Sequence, residues 1–251
     1  MTTPLTVTTP AFAAVDLGAP PRPAGRILAA ARMHLVSVMF VAMPVLVGLS
    51  AFLINLIIFA LVDTGQALNG TGGLAAFLGT YFAAYMAATQ AFSFALGVSL
   101  TRREFFTGTV ALALVQSVLA GLAIYLLSLI ESATNGWGVQ MRFFGLVRYL
   151  SDNPGVQLGA PIAFCMLLAL AAMLIGAVYT RWKGLGMLGL SVGAVLAFGV
   201  VAIVITWQGW WPGFADLFTG PPVAVPLIVY PLAAAAVAGT GAYGVLRRAI
   251  P

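Results

Sequence analysis

The sequence carries very little charge. Only 7% of its 251 residues are Asp, Glu, Lys or Arg, whereas 62% are hydrophobic. A soluble domain typically has about 25% charged and about 45–50% apolar residues, so there are too few charges here to cover a water-facing surface. A disordered chain is also excluded, because such chains are polar and poor in aromatic residues. The composition therefore predicts a helical protein that crosses a membrane several times.

Residues that carry chemistry are equally scarce. Cys165 is the only cysteine, which excludes an internal disulfide and a cysteine metal cluster. His34 is the only histidine and falls at a membrane face, where it is poorly placed to activate a buried nucleophile. No Gly-x-x-x-x-Gly-Lys-Ser/Thr phosphate loop occurs. We therefore expect a chain that is not itself an enzyme and that holds no cofactor and no metal ion.

Six apolar runs separate the polar segments. Each run is long enough to cross a bilayer core, which takes about 20 helical residues, and none has the alternation of a membrane β-strand. The predicted fold class is an all-α polytopic membrane protein, with a flexible N-terminal tail at 1–22 and a single six-helix transmembrane domain at 23–251. The predicted spans are 34–62, 74–100, 105–130, 158–180, 185–206 and 223–246.

The basic residues fall into alternate loops. Nine of the eleven lie on one side of the predicted membrane, and the positive-inside rule makes that side cytoplasmic, together with both termini. The net charge of +5 therefore records orientation in a cell membrane rather than nucleic acid binding. The nine are Arg22, Arg26, Arg32, Arg102, Arg103, Arg181, Lys183, Arg247 and Arg248, and the other side has Arg142 and Arg148.

Two further segments do not have the pattern of spans. Residues 23–33 place Ile27, Leu28 and Ala31 on one helical face, opposite arginines. This predicts an amphipathic helix on the cytoplasmic membrane surface, although a basic flank that only fixes orientation gives the same pattern. Residues 207–226 are too apolar for a loop and too rich in Gly and Pro for a span. They predict a broken outer segment before the last span, either re-entrant or interfacial.

The interiors of the predicted spans lack Asp, Glu, Lys, Arg and His. Carriers driven by protons or sodium usually need such groups near the midplane, so their absence argues against that class. The neutral polar residues Asn55, Gln90, Gln116 and Tyr125 are candidates either for lining a translocation path or for hydrogen bonds between helices. Gly189 and Gly193 form a small-xxx-small pair and are candidates for a dimer contact.

The loop between the second and third predicted spans has the sharpest motif, Gly-Val-Ser-Leu-Thr-Arg-Arg-Glu-Phe-Phe-Thr-Gly over 97–108. Thr101 and Glu104 form a capping-box pattern, which predicts that a helix begins just after Thr101. Arginine and aromatic side chains are common anchors of protein contacts. The loop is therefore either a tight turn with an orientation signal or a docking element for a soluble partner. The candidate anchors are Arg102, Arg103, Phe105 and Phe106.

This loop resembles the one between spans two and three in the membrane subunits of ABC-2 type ABC transporters, which often reads Gly-x-Ser-Arg-Arg-x-Phe-Phe-x-Gly. Here Leu100 and Thr101 lengthen the spacing between Ser99 and the arginines. The resemblance implies that Thr101 to Phe106 form a coupling helix that docks on a separate ATP-binding cassette subunit, which holds ATP and magnesium. It also implies a second copy, or a similar permease subunit, around a central path.

The expected function is therefore that of the permease subunit of an ATP-driven exporter. A largely neutral interior with aromatic and Gln or Ser side chains suits an amphipathic or apolar cargo better than a small ion. Two alternatives remain open. One is an ion-gradient-driven secondary carrier, and the other is a membrane scaffold, sensor or immunity protein that transports nothing.

Overall fold

The chain is almost entirely helical in the computed structural model, which describes residues 25, 29–32, 38–62, 68–97 and 99–249. The predicted tail at 1–22 and His34 lie outside the described residues, as does most of the predicted surface helix, of which Gly25 and 29–32 are helical. The helices are α1 Val38–Leu61, α2 Leu74–Gln90, α3 Phe92–Gly97, α4 Arg102–Ala133, α5 Pro154–Gln208, α6 Trp211–Thr219 and α7 Tyr230–Arg248.

Four of the described helices are long and apolar enough to cross a membrane. The prediction of an all-α membrane protein is therefore confirmed at the level of fold class. The four are Met39–Leu61, Arg102–Ala133, Pro154–Gln208 and Val225–Arg247, the last of which joins a π-helical turn at Val225–Val229 to α7.

The second predicted span, 74–100, is not one continuous helix. It breaks at Ala91, whose amide donates to Ala88 three residues back (3.1 Å), and it resumes as α3. The hydroxyl of Thr89 donates to the Tyr85 carbonyl (2.9 Å), and this kind of bond often bends helices. The chain then turns at Ser99, which has a positive φ of 65°.

The break predicted between the fourth and fifth spans is present at Lys183, where two helices meet at a kink instead of at a longer loop. Helix α5 runs over 55 residues, and only Lys183 departs from helical geometry inside it (φ 53°, ψ −139°). We call residues 154–182 the packed arm and residues 184–208 the exposed arm. The packed arm contains all the buried residues of α5, whereas nearly every residue of the exposed arm is exposed.

The core lies between α2, α4, the packed arm and α7. Its buried positions are mostly small or aromatic, including Ala169, Ala172, Ala235 and Ala242 beside Tyr85. Small residues let helix backbones approach closely, which is how helices associate where apolar surface alone provides little driving force. Gly121 shows this, because a Cβ there would come within 2.7 Å of the backbone nitrogen of Ile162.

Contacts along the helices give their relative directions. Leu170 packs against the position of Gly239 and Leu174 against that of Gly241, so the packed arm and α7 run parallel. Helix α4 runs antiparallel to both α2 and the packed arm, since Ser117 lies beside Tyr81 and Met166, while Gly121 lies beside Ile162.

These directions give the bundle two ends. The basic end contains the turn at 97–101, the junction at Lys183 and the C-terminus of α7, with the charged residues Arg102, Arg103, Glu104, Arg181, Lys183, Arg247 and Arg248. The loop end contains residues 134–153 and α6. A two-residue parallel strand pair, β1 (Leu68–Asn69) and β2 (Met141–Arg142), also lies there and was not predicted.

Candidate functional sites at the two ends of the bundle

The predicted capping box at Thr101 is confirmed. The Thr101 hydroxyl accepts a hydrogen bond from the Glu104 amide (3.2 Å), and the Glu104 carboxylate accepts one from the Thr101 amide (2.8 Å). Two of the amide groups that a helix start leaves unpaired are thereby satisfied. Helix α4 consequently begins at Arg102, three residues before the predicted start of the third span.

Arg102 is bound within the chain. Its Nη1 donates to the carbonyl of Arg247 (2.7 Å) and, at longer range, to that of Leu246 (3.4 Å). Both carbonyls belong to the last turn of α7, where unpaired carbonyl groups attract a cation. The side chain therefore joins the start of α4 to the end of α7.

The two phenylalanines of the motif also pack inside the molecule. Phe105 is fully buried and meets Phe92 edge to face, with ring centroids 5.4 Å apart. Phe106 is half-buried, and its ring centroid lies 5.1 Å from that of Tyr243 in α7. Of the predicted docking set, Thr101 and Arg103 are the exposed members.

The path candidates do not form one group. Asn55 lies near the loop end, where its side chain donates to the Ala51 carbonyl (2.8 Å), whereas Gln90 is exposed at the far end of α2. Tyr125 is half-buried. Only Gln116 joins a polar cluster, because its Oε1 accepts from the Tyr85 hydroxyl (2.6 Å).

That cluster has members that the sequence analysis did not single out. The Tyr81 hydroxyl lies 3.1 Å from that of Ser117, one residue along α4 from Gln116. Tyr81 and Tyr85 are four residues apart and so share a helix face. The four-residue spacing of the two tyrosines was the signal in the sequence that could have identified them. Together with Ser117, they place three neutral hydroxyl groups in the α2–α4 interface.

Gly189 and Gly193 lie on the exposed arm, where a Cβ at either position would meet nothing within 4 Å. They therefore pack against none of the residues that the structure describes. Residues 189–193 read Gly-x-Ser-x-Gly. This spacing is found where a serine nucleophile sits on a strand-to-helix turn. Ser191 instead lies inside a helix and donates to the Met187 carbonyl (2.8 Å), so this motif has the wrong structural context.

Glu131, which the sequence analysis did not select as a candidate, is buried in the last turn of α4 (5% exposed). Its Oε2 accepts hydrogen bonds from the amides of Phe143 (2.9 Å) and Phe144 (2.7 Å), and its Oε1 accepts from Gly145 (3.1 Å). The indole of Trp137 donates a longer bond to Oε2 (3.4 Å). A Cβ at position 145 would lie 2.7 Å from Oε1, so glycine allows this approach.

A polar cavity of about 510 Å³ opens beside Glu131 at the loop end. Arg142 and Arg148 line it, although both were predicted only as exceptions to the charge pattern. Two apolar cavities of about 350 Å³ each lie nearby and share Phe144 in their walls.

No protein-family model, curated protein or solved structure matches this chain. Function is therefore inferred from the residues and their geometry. The basic end offers a capped helix start tied to neighbouring helices, and the loop end offers a basic cavity beside apolar ones.

Proposed function

We propose that this chain is the membrane-spanning permease subunit of an ATP-driven exporter of the kind that the motif at 97–108 resembles. A separate ATP-binding cassette subunit would hold ATP and magnesium and dock on the turn at 97–104. The chain itself would bind no nucleotide. Its place would be the cell membrane, with both termini in the cytoplasm.

The observation that carries the proposal is the attachment of this turn to several helices at once. Thr101 and Glu104 lock it to α4, and Arg102 binds the last carbonyls of α7. Phe105 packs on Phe92 of α3. A force applied to the turn is therefore passed to α3, α4 and α7 together, as is needed for a partner to switch the access of a central path.

The helix directions support the six-span arrangement that we propose. The packed arm and α7 run parallel, so the chain between them has to return from the basic end to the loop end. The exposed arm has about 25 residues, which at about 1.5 Å per residue exceeds the roughly 30 Å of a bilayer core. If the exposed arm counts as one span and α2 with α3 as another, the chain has six spans. The positive-inside rule then puts the basic end on the cytoplasmic side.

A second copy of the chain, or a similar permease subunit, would pack against the exposed arm. Phe198 of this arm is 76% exposed, and Gly189 and Gly193 are open to close approach. The neutral Tyr, Ser and Gln side chains between α2 and α4 suit an amphipathic or apolar cargo.

The contact with the ATP-binding subunit centres on Arg103. Its side chain is exposed at the start of α4, whereas Phe105 is buried and Arg102 is bound to α7. Arg102 and the phenylalanines would therefore position the turn, and Arg103 would make the charged contact.

The first test is purification of the tagged chain from its host in mild detergent. We expect a soluble subunit with a phosphate-binding loop to co-purify near one to one. Replacing Arg103 by Glu should weaken that complex by about tenfold or more, because a hydrogen bond to a charged group contributes about 1.5–3 kcal/mol. Transport in proteoliposomes should fall with it, while insertion and thermal unfolding stay unchanged.

The matched control is Arg248→Glu, which makes the same charge change at an exposed position of the basic end outside the turn. It should leave the complex intact. If Arg103→Glu behaves like Arg248→Glu, the turn is not the docking site. If the chain purifies alone and a pH or sodium gradient drives transport, the chain is a secondary carrier. A stable complex without transport indicates a scaffold or immunity protein.

A further inference from the structure

The polar cavity at the loop end has a positive balance of charge. Arg142 and Arg148 line it, and Glu131 is the acidic residue in its wall. Because the Glu131 carboxylate accepts three backbone amide hydrogen bonds, its charge is largely compensated where it sits. The cavity therefore presents cationic groups to whatever enters it.

Both arginines retain donors for a ligand. A guanidinium has five N–H groups. Arg148 uses Nη1 to donate to the Oε1 of Gln157 (3.2 Å), which fixes its position. The guanidinium of Arg142 stacks over the ring of Tyr149 at 4.6 Å, an interaction that holds the group by its face and leaves its edge free to donate. Fixed guanidinium groups suit the planar, multidentate recognition of phosphate oxygens.

A single 3-10 turn, Gly145–Tyr149, separates this cavity from an apolar one. Gly145, Arg148 and Tyr149 line the polar cavity. Leu146 and Val147, together with the following Leu150, line the apolar cavity of about 350 Å³. Leu146 and Leu150 are also about half exposed (49% and 53%). Polar and apolar spaces therefore meet across one turn at the loop end.

We propose that this end of the bundle binds a phospholipid, with the lipid phosphate held between Arg142 and Arg148 and an acyl chain in the apolar cavity beside Leu146. A free phosphate would use only the basic half of the site. A lipid uses both halves, since its head and chains join at the boundary that the 3-10 turn marks. The binding does not depend on whether the chain exports a cargo.

The test is native mass spectrometry of the purified chain in detergent, titrated with phosphatidylglycerol or with diacylglycerol of the same acyl chains. Inorganic phosphate is titrated separately by calorimetry. We expect phosphatidylglycerol to bind at least about tenfold more tightly than either of the others. Arg142→Gln with Arg148→Gln should reduce its affinity about a hundredfold or more, because each arginine supplies a charge-assisted contact that is equivalent to about tenfold.

Three variants separate binding from folding. Arg148→Lys keeps the charge and should retain most of the affinity, whereas Leu146→Ser should weaken phosphatidylglycerol binding without affecting phosphate. Arg248→Gln, at the basic end, should change neither. The proposal is wrong if the double glutamine variant binds phosphatidylglycerol like the wild type, or if diacylglycerol binds equally well. Equal affinity for inorganic phosphate would make the cavity a free-anion site and overturn the lipid assignment.

Discussion

Glu131 accepts backbone hydrogen bonds from residues 12 to 14 positions later in the chain. Two of those residues, Phe143 and Phe144, pack on α1 together with Trp137, whose indole also donates to Glu131. The ring of Phe52 lies 5.4 Å from that of Phe143 and 4.9 Å from that of Trp137. One carboxylate thus fixes the backbone of the loop end, and with it the walls of both kinds of cavity.

Glu131→Gln is expected to destabilise the fold by about 2–3 kcal/mol, because the amide retains one acceptor oxygen and turns a donor toward amide hydrogens. The measurement is the thermal unfolding temperature in detergent. Asp216→Asn makes the same change at an exposed position of the loop end and should have almost no effect. Equal unfolding temperatures for the two variants would mean that Glu131 does not organise this loop.

The helix start at Thr101 is predictable because its cap joins residues only three apart. The binding of Arg102 to α7 is not, because its acceptor carbonyls lie 144 and 145 residues later. The burial of Phe105 depends on the same long-range packing. The role of Glu131 was not predictable either, because its partners lie across an irregular loop that no short motif identifies.

At the scale of elements, glycine has two different roles. It permits close packing around the packed arm of α5, and it leaves the surface of the exposed arm open. Gly121 sits where α4 meets the packed arm, and a methyl group there would press on the backbone of Ile162. Gly176 is similar, since a Cβ would lie 2.7 Å from that of Thr89. Gly189 and Gly193 face open space. The same residue type therefore serves packing within the chain at one place and remains available for another chain elsewhere.

Gly121→Ala is expected to destabilise the isolated chain by about 1–3 kcal/mol, the usual range for overpacking. Gly193→Ile should leave that unfolding temperature nearly unchanged and instead reduce the dimer fraction seen by cross-linking in membranes. If Gly193→Ile lowers the unfolding temperature as much as Gly121→Ala, the exposed arm packs within its own chain. An unchanged dimer fraction would remove Gly193 from the subunit contact.

Among helix boundaries, the start of the second span was predicted correctly, since α2 begins at Leu74. The fourth span was predicted to begin at 158, four residues after the start of α5 at Pro154, because Asn153, which accepts the Gly155 amide (2.8 Å), was not recognised as a cap. The break between the fourth and fifth spans was predicted from Arg181 and Lys183, and it lies at Lys183, the residue of α5 that leaves the helical conformation. The strand pair could not be foreseen, because two residues give no alternating pattern.

At the scale of the whole molecule, the crossing of the exposed arm decides the topology. Cys165 is fully buried, so the wild-type chain should give almost no reaction with a membrane-impermeant maleimide. Arg248→Cys and Asp216→Cys each place a thiol at an exposed position, one at each end of the bundle. We expect the first to be labelled from the cytoplasmic side and the second only from outside. Labelling of both from one side would show that α7 does not cross the membrane between them.

The bond from Arg102 to the carbonyl of Arg247 also has a consequence for biosynthesis. The turn at 97–104 leaves the ribosome well before α7 has been made. Arg102 can therefore bind its carbonyl partners, and Phe106 can pack on Tyr243, only after α7 has been synthesised. A chain that stops before residue 246 would insert its earlier helices but present a turn that is not attached to the end of α7. Docking of the proposed ATP-binding subunit would then select against truncated chains and so act as quality control during assembly.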